Sequence, residues 1–497
     1  MVQGTASDSG KSFLVTALCR LLADRGVRVC PFKSQNMSNN ACVTWDGLEM
    51  SRAQAVQAEA ARLRPEVFMN PILLKPRHDT SSEIVLEGRV LDLPDEGGFA
   101  RYRVFAQKEG IAAVRRALNH VEKNFDAVVI EGAGSPVEVN LNDFEIVNMR
   151  VAREADVPVV LVTDVDRGGS LASIVGTLEL LGADRERVCG LVFNKFRGDV
   201  SLFEPAVRWI EDRTGVPVLG VMPWVEGVAL AGEDSLNVHW GRAGGDGLSI
   251  GVVRFPGIAN FTDLDPFELE QDVTLVGLQG DTPPGTLSRL DAVILPGSKN
   301  TLRDMAWLER TGLAAAIREM SREGRFVFGL CGGYQMMGER LLDPELRENR
   351  ELRELPGLGL LPLTTMFGVG EKRTACVSGR VKDEFARGGM PVSGYEIHFG
   401  VTRLSDDASC PALFTVEGRD EGFALPDLSA AGTYLHGVFE NDAFRSLWLN
   451  ALRRSRGLEA RPVTDTRAMK ERACDALAAA VAEHMDVPAI LRLMGLA

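Results

Sequence analysis

"GTASDSGKS", Gly4–Ser12, stands between the short opening run "MVQ" and the helix-patterned "FLVTALCRLLADRG". A glycine-rich loop between a strand and a helix turns successive backbone N–H groups toward one point, and with the helix N-terminus behind it that point holds phosphate. Lys11 adds a positive charge and Ser12 a hydroxyl for magnesium, so Gly4, Thr5, Gly10, Lys11 and Ser12 are the expected ATP-binding residues. The spacing has one residue more between Gly4 and Gly10 than the usual P-loop. A plain glycine turn is the competing reading, but the closing GKS and the helix behind it favour phosphate. The first strand is short where about five or six residues are typical, which places the expected true start a few residues upstream.

Outward from this loop, β-branched runs alternate with helix-like segments: "VRVCPF" (27–32), "DAVVIEGAG" (126–134), "VPVVLVTDVD" (157–166), "RVCGLVFNK" (187–195) and "VPVLGVMP" (216–223). That rhythm predicts an α/β, doubly wound, mostly parallel sheet over residues 1–225. Residues 226–247, which contain the aperiodic "GRAGGDG", read as a linker. A second alternating series, "LSIGVVRF", "DAVILPGS" and "RFVFGLCGG", opens another α/β domain over 248–497, with antiparallel strands added late. The tail from Arg467 has helical spacing and is assigned to this second domain.

The chain of 497 residues is long enough for roughly two to four domains. Its formal net charge of -14 argues against nucleic-acid binding and anionic membrane surfaces, so an anionic substrate needs a local basic patch. The eight cysteines form no CxxC pair, which indicates neither a zinc site nor a disulfide framework and fits a reducing cytoplasm. No run reaches the roughly 18 apolar residues of a membrane span. A homo-oligomer is compatible with the sequence.

Several strand ends carry candidate groups. Glu131 ends "VVIE", where a doubly wound sheet binds its ligands and a carboxylate would face magnesium; a strand-end glutamate in solvent is the alternative. Asp164 ends its strand ahead of Arg167, and Asn194 in "GLVFNK" offers an amide able to read adenine, or a structural cap. "PFKSQNMSNN" and "MNPILLKPRHDT" bring Lys33, Lys75 and Arg77; with Arg52 and Arg167 these could form the basic patch, or they belong to solvated loops.

"GLCGG", Gly329–Gly333, follows a strand and precedes the helix-like "YQMMGERLL". It matches the glycine-flanked nucleophile elbow with cysteine in place of serine, and the backbone N–H of Gly332 is aimed at a nascent oxyanion. Gly297 in "LPGSKNT" could complete that hole, and His436 in "TYLHGVFEN" could act as base. A buried structural cysteine and a structural histidine are the plainer readings.

Together these motifs resemble the cobyric acid synthase family of glutamine-dependent corrinoid amidotransferases, over nearly the whole chain. "GTASDSGKS", "PFKSQNM", "MSRAQAVQAEAA", "MNPILLKP" and "DVDRGG" are similar to that family's dethiobiotin-synthetase-like ATPase domain. "PGSKNT", "GLCGGYQMMG", "SGYEIHFG" and "YLHGVFEN" are similar to its class I glutaminase domain. The resemblance implies Cys331 as nucleophile and His436 as its base. It also implies ATP and Mg2+ held by Lys11, Ser12 and Glu131, with Asn194 at the base. Asp46, as a metal ligand, and Asp164 rest on position alone; Lys33, Asp164 and Arg167 are expected to face substrate or intermediate. The class I triad usually has a glutamate two residues after the histidine. Here that position is Val438, and Glu440 is the nearby carboxylate. The implied partners are L-glutamine and an adenosylated corrinoid, the a,c-diamide of cobyrinic acid, amidated at the b, d, e and g side chains. A cobyrinic acid a,c-diamide synthase would share both domains, although "MNPILLKP" favours the first reading. A MinD-like partner-binding ATPase would leave the elbow unexplained.

Overall fold

The computed structural model describes residues 1–78, 81–91, 98–225, 240, 241, 243–283, 285–370, 372–406 and 408–496. Most of the expected linker, 226–247, lies outside them. The chain divides into two compact units, one of Met1–Thr44, Leu48–Asp234 and Ala468–Ala497, the other of Trp45–Gly47 and Ser235–Arg467.

In the first unit the apolar runs form parallel strands in the order Val2–Gly4, Val159–Asp164, Val188–Phe196, Val218–Pro223. A parallel pair, Val29–Phe32 with Ala127–Ile130, extends the array through the bridge between Val2 and Glu131. Val2–Gly4 and Val29–Phe32 are buried along their whole length, as the inner strands of a sheet wrapped by helices require. Parallel strands share one carboxyl edge; Gly4, Lys33, Glu131 and Asp164 lie at it or one residue past it, and Asn194 is in register with Asp164. Lys33 and Lys75 are not in solvated loops. Lys33 follows a core strand, and Lys75 lies in the strand Ile72–His78, both about 1% exposed. Lys75 is paired with the buried carboxylate of Glu49, which removes it from any basic patch. The side chain of Arg77 lies outside the described residues.

The tail corrects the expected domain division. Its helices, Thr466–His484 and Val487–Leu493, complete the first unit instead of the second. Leu477, Val481, Met485 and Ile490 pack with Leu14, Leu18, Leu22 and Met222. Arg20, buried on the helix Lys11–Asp24, donates to Glu471 at 2.7 Å and Asp475 at 2.6 Å. An amphipathic tail shows that it needs a core, not which one.

The second unit is built on a nine-stranded sheet. Its first five strands, Val273–Leu278, Leu248–Val253, Ala292–Leu295, Phe326–Leu330 and Ala430–Thr433, are parallel; the remaining four join antiparallel, as expected. Phe328, Phe439 and Trp448 fill the core on one face. No helix among the described residues is long and apolar enough to cross a membrane.

Candidate active sites

In the second unit the strand Phe326–Leu330 ends at Cys331, whose backbone sits at φ 50°, ψ -108° before the helix Gly332–Met336. A non-glycine residue at positive φ is strained, and such a corner lifts a nucleophile clear of the sheet. The corner closes because Cys331 N–H donates to Thr433 O at 2.8 Å and Gly333 N–H to Pro296 O at 3.1 Å. Glycine is required there, since a Cβ on Gly333 would fall 2.0 Å from Leu295 O.

His436 follows the neighbouring strand Ala430–Thr433 and is pinned by reciprocal backbone bonds with Tyr395, Tyr395 N to His436 O at 3.1 Å and His436 N to Tyr395 O at 2.9 Å. Cys331 is close enough for its charge to raise the imidazole pKa. The Cys331 thiol also lies 3.5 Å from Ile397 O, in "SGYEIHFG". Both predicted oxyanion-hole glycines come to this place: a Cβ on Gly332 would lie 2.9 Å from Ser298 N, and one on Gly297 3.4 Å from His436 Cε1. Asp304, pushed up to about 6 chiefly by burial, braces the loop through Ser298 Oγ at 2.5 Å.

The residue that sequence reasoning missed is Asp263. Its Oδ2 lies 2.7 Å from His436 Nδ1, and its Oδ1 accepts from Gly437 N–H at 2.7 Å. The carboxylate belongs to "NFTDLD", in the short helical turn Phe261–Leu264 that follows the first strand of this unit. Asn260, one turn earlier, brings its Nδ2 to 3.1 Å from His436 Nε2. Val438 is core, and the carboxylate at His436 Nδ1 is that of Asp263 and not of Glu440. Burial by itself lowers the imidazole pKa, but the charges of Asp263 and Cys331 outweigh it and hold His436 up to about 10. The site therefore sets an imidazole between a sulfur and a carboxylate.

In the first unit the loop Gly4–Ser12 bends around Gly10, at φ 96°. Asn194 Nδ2 donates to Ser9 O at 3.0 Å, so one amide N–H of the expected base reader is used to fasten the loop. Thr5 N–H joins the loop to the sheet through Val162 O at 2.9 Å. Lys11 Nζ donates to Ala6 O at 3.1 Å and Gly134 O at 3.2 Å, curled over the loop. Ser12 Oγ donates to Glu131 Oε1 at 2.8 Å, and Lys33 Nζ donates to the same oxygen at 3.1 Å. Hydroxyl and carboxylate thus meet as two hard oxygen donors, which suits magnesium completed by phosphate oxygens. Asp164 and Arg167 lie at the same edge: Lys195 Nζ is 2.9 Å from Asp164 Oδ2, and Arg167 is 3.2 Å from Asp8 Oδ2. Asp46 belongs to Trp45–Gly47, which groups with the second unit, where burial and its charge raise the Cys376 thiol pKa.

Residues 1–238 match the CobQ/CobB/MinD/ParA nucleotide binding domain, and residues 249–444 the CobB/CobQ-like glutamine amidotransferase domain. The chain is 46% identical to the cobyric acid synthase of Geobacillus thermodenitrificans, over 99% of this chain and 97% of that one. It is 43% identical to that of Nostoc punctiforme, over 99% of both chains. It is likewise 43% identical to the probable cobyric acid synthase of Methanothermobacter thermautotrophicus, over 99% of this chain and 98% of that one.

Proposed function

The chain belongs to the cobyric acid synthase family, glutamine-dependent ligases with a nucleotide-binding domain, and from that premise we propose that it amidates the b, d, e and g carboxylates of adenosylcobyrinic acid a,c-diamide. The observation that carries this reading is the presence in one chain of a thiol–imidazole–carboxylate cluster and a phosphate loop with a hydroxyl–carboxylate pair.

A carboxylate resists ammonia because its carbonyl is electron-rich and oxide is a poor leaving group. In the reading proposed here, an acceptor carboxylate oxygen attacks the γ-phosphorus of ATP, the bond to the β-phosphate oxygen breaks, and an acyl phosphate and ADP result. Lys11 and the loop N–H groups offset charge on the transferring group. Magnesium, held by Ser12 and Glu131, would neutralise phosphate charge. Ammonia then attacks the acyl carbon, the carbon–oxygen bond to phosphate breaks, and the surplus proton leaves with the phosphate.

The ammonia comes from glutamine. The Cys331 sulfur attacks the carboxamide carbon, its proton passes by way of His436 to the leaving nitrogen, and the oxyanion faces Gly332 and Gly297. Water hydrolyses the resulting thioester to glutamate. Asp263 positions His436 by holding Nδ1, which leaves Nε2 as the ring nitrogen that exchanges the proton.

The test is mass spectrometry of the corrinoid after incubation with ATP, magnesium and glutamine labelled with nitrogen-15 in its amide. Label entering each of the b, d, e and g side chains is the expected result. An unlabelled, unchanged corrinoid would overturn the reading, and label at a and c of cobyrinic acid instead would make the chain a diamide synthase.

A further inference from the structure

Beside the Lys33–Glu131 pair lies a group of carboxamides that no step above uses. Asn36, Asn40, Gln54 and Gln57 are all at most 3% exposed. Asn36 Nδ2 donates to Ser51 Oγ at 2.6 Å and Gln54 Oε1 at 3.2 Å. Gln57 Nε2 donates to Glu131 Oε2, which ties the group to the expected magnesium carboxylate. The helix Arg52–Ala60 carries both glutamines one turn apart on one face, and Asn40 O accepts its first N–H, from Arg52, at 3.2 Å.

Several of these polar atoms have no hydrogen-bond partner among the described residues: both ends of the Asn40 amide, Gln54 Nε2 and Gln57 Oε1. Leaving a buried donor or acceptor unpaired costs about 1–3 kcal/mol each. A group of such atoms on and beside the helix whose Gln57 reaches the expected magnesium carboxylate is what a site built for a polar ligand retains. We propose that these carboxamides form the seat of the acceptor's side-chain carboxylate and of the primary amide it becomes. This rests on the ligase reading above and adds to it the place where the reacting group is held.

The chemistry of the unpaired atoms suits both ends of the reaction. A carboxylate only accepts hydrogen bonds, which Gln54 Nε2 and Asn40 Nδ2 donate. A primary amide also donates, and Gln57 Oε1 and Asn40 Oδ1 accept. An arginine would grip the carboxylate through a charge-assisted fork and lose that grip on amidation. Neutral carboxamides keep a donor or acceptor for either form, so the seat still has partners to offer after the charge is lost. That suits an enzyme which must seat one carboxylate after another on the same corrinoid, releasing each as an amide.

The experiment uses the full chain with adenosylcobyrinic acid a,c-diamide, ATP, magnesium and ammonium chloride, so that the glutaminase site plays no part. Gln54→Leu and, as a second variant with smaller steric demand, Asn40→Ser should each raise the KM for the corrinoid roughly tenfold, one lost hydrogen bond. The KM for ATP should be unchanged in both, and Asn40→Ser should keep the wild-type unfolding midpoint. An unchanged corrinoid KM in folded variants, or ATP and corrinoid KM values rising together, would overturn the seat and leave the group as a brace for its helix. Wild-type protein that amidates nothing would overturn both the seat and the ligase reading, so the two failures are told apart.

Discussion

Asparagine at position 263 would keep the shape of the side chain while removing the charge that faces His436 Nδ1 and reversing which atom donates there. Its amide would favour the tautomer that carries no hydrogen on Nδ1, and the imidazole would no longer be held ready to shuttle the thiol proton. Asp263→Asn is therefore expected to lower glutaminase kcat roughly 10²–10⁴-fold, with the KM for glutamine little changed and ammonia-dependent amidation intact. A KM effect alone would make Asp263 a packing residue. The same pair sets a pH signature of stability. The folded pKa of His436, about 10, lies above the ordinary 6.5. The pair's contribution is then fully present below about 6.5 and lost as pH rises toward about 10. Thermal unfolding should show the gap between wild type and Asp263→Asn narrowing across that window. Asp263 was not legible in the sequence because it precedes His436 by 173 residues and no local motif marks it. Cys331 was legible because its glycines are adjacent.

At the scale of elements, the elbow and its supports divide into parts that geometry fixes and parts that charge burdens. Gly333→Ala would place a methyl 2.0 Å from the Leu295 carbonyl, backbone against backbone, with no flexible neighbour to yield. Loss of soluble, folded protein on expression is the expected result, and a folded variant with wild-type melting would show that the corner can relax. Glu348 shows the other case: burial, first among several causes, pushes it up to about 8, and it accepts the first N–H of the helix Thr301–Arg310. A carboxyl raised on folding binds its proton more tightly in the native state, so stability falls as pH climbs from about 4.5 to about 8. Glu348→Gln keeps an acceptor without the titration, and its melting advantage over wild type should grow through that window and then level. The elements themselves were readable from alternation and glycine punctuation, because each depends on local pattern. The burial of Lys75 was not, since it required Glu49 on a separate strand, and the destination of the tail depended on which core had an open face.

At the scale of the whole molecule, the proposed ligase groups and the proposed glutaminase groups fall in different compact units, and the two half-reactions should separate by mutation. Cys331→Ala removes the sulfur proposed to attack glutamine and leaves the groups of the phosphate loop in place, so glutamine-dependent amidation should disappear while amidation at high ammonium chloride, near pH 8, persists with ATP and magnesium. Lys11→Ala removes the ammonium group above the loop, and without it charge on the transferring phosphoryl is poorly offset. Amidation should then fall with either nitrogen source, while hydrolysis of glutamine survives at least in part. Run side by side, the two variants make a two-by-two comparison of unit against nitrogen source. Lys11→Ala with normal ammonia-dependent turnover would remove the phosphate-loop assignment. Cys331→Ala that stays folded and binds ATP yet amidates with neither source would place the cysteine in the ligase step itself, and the division of chemistry between the units would be wrong.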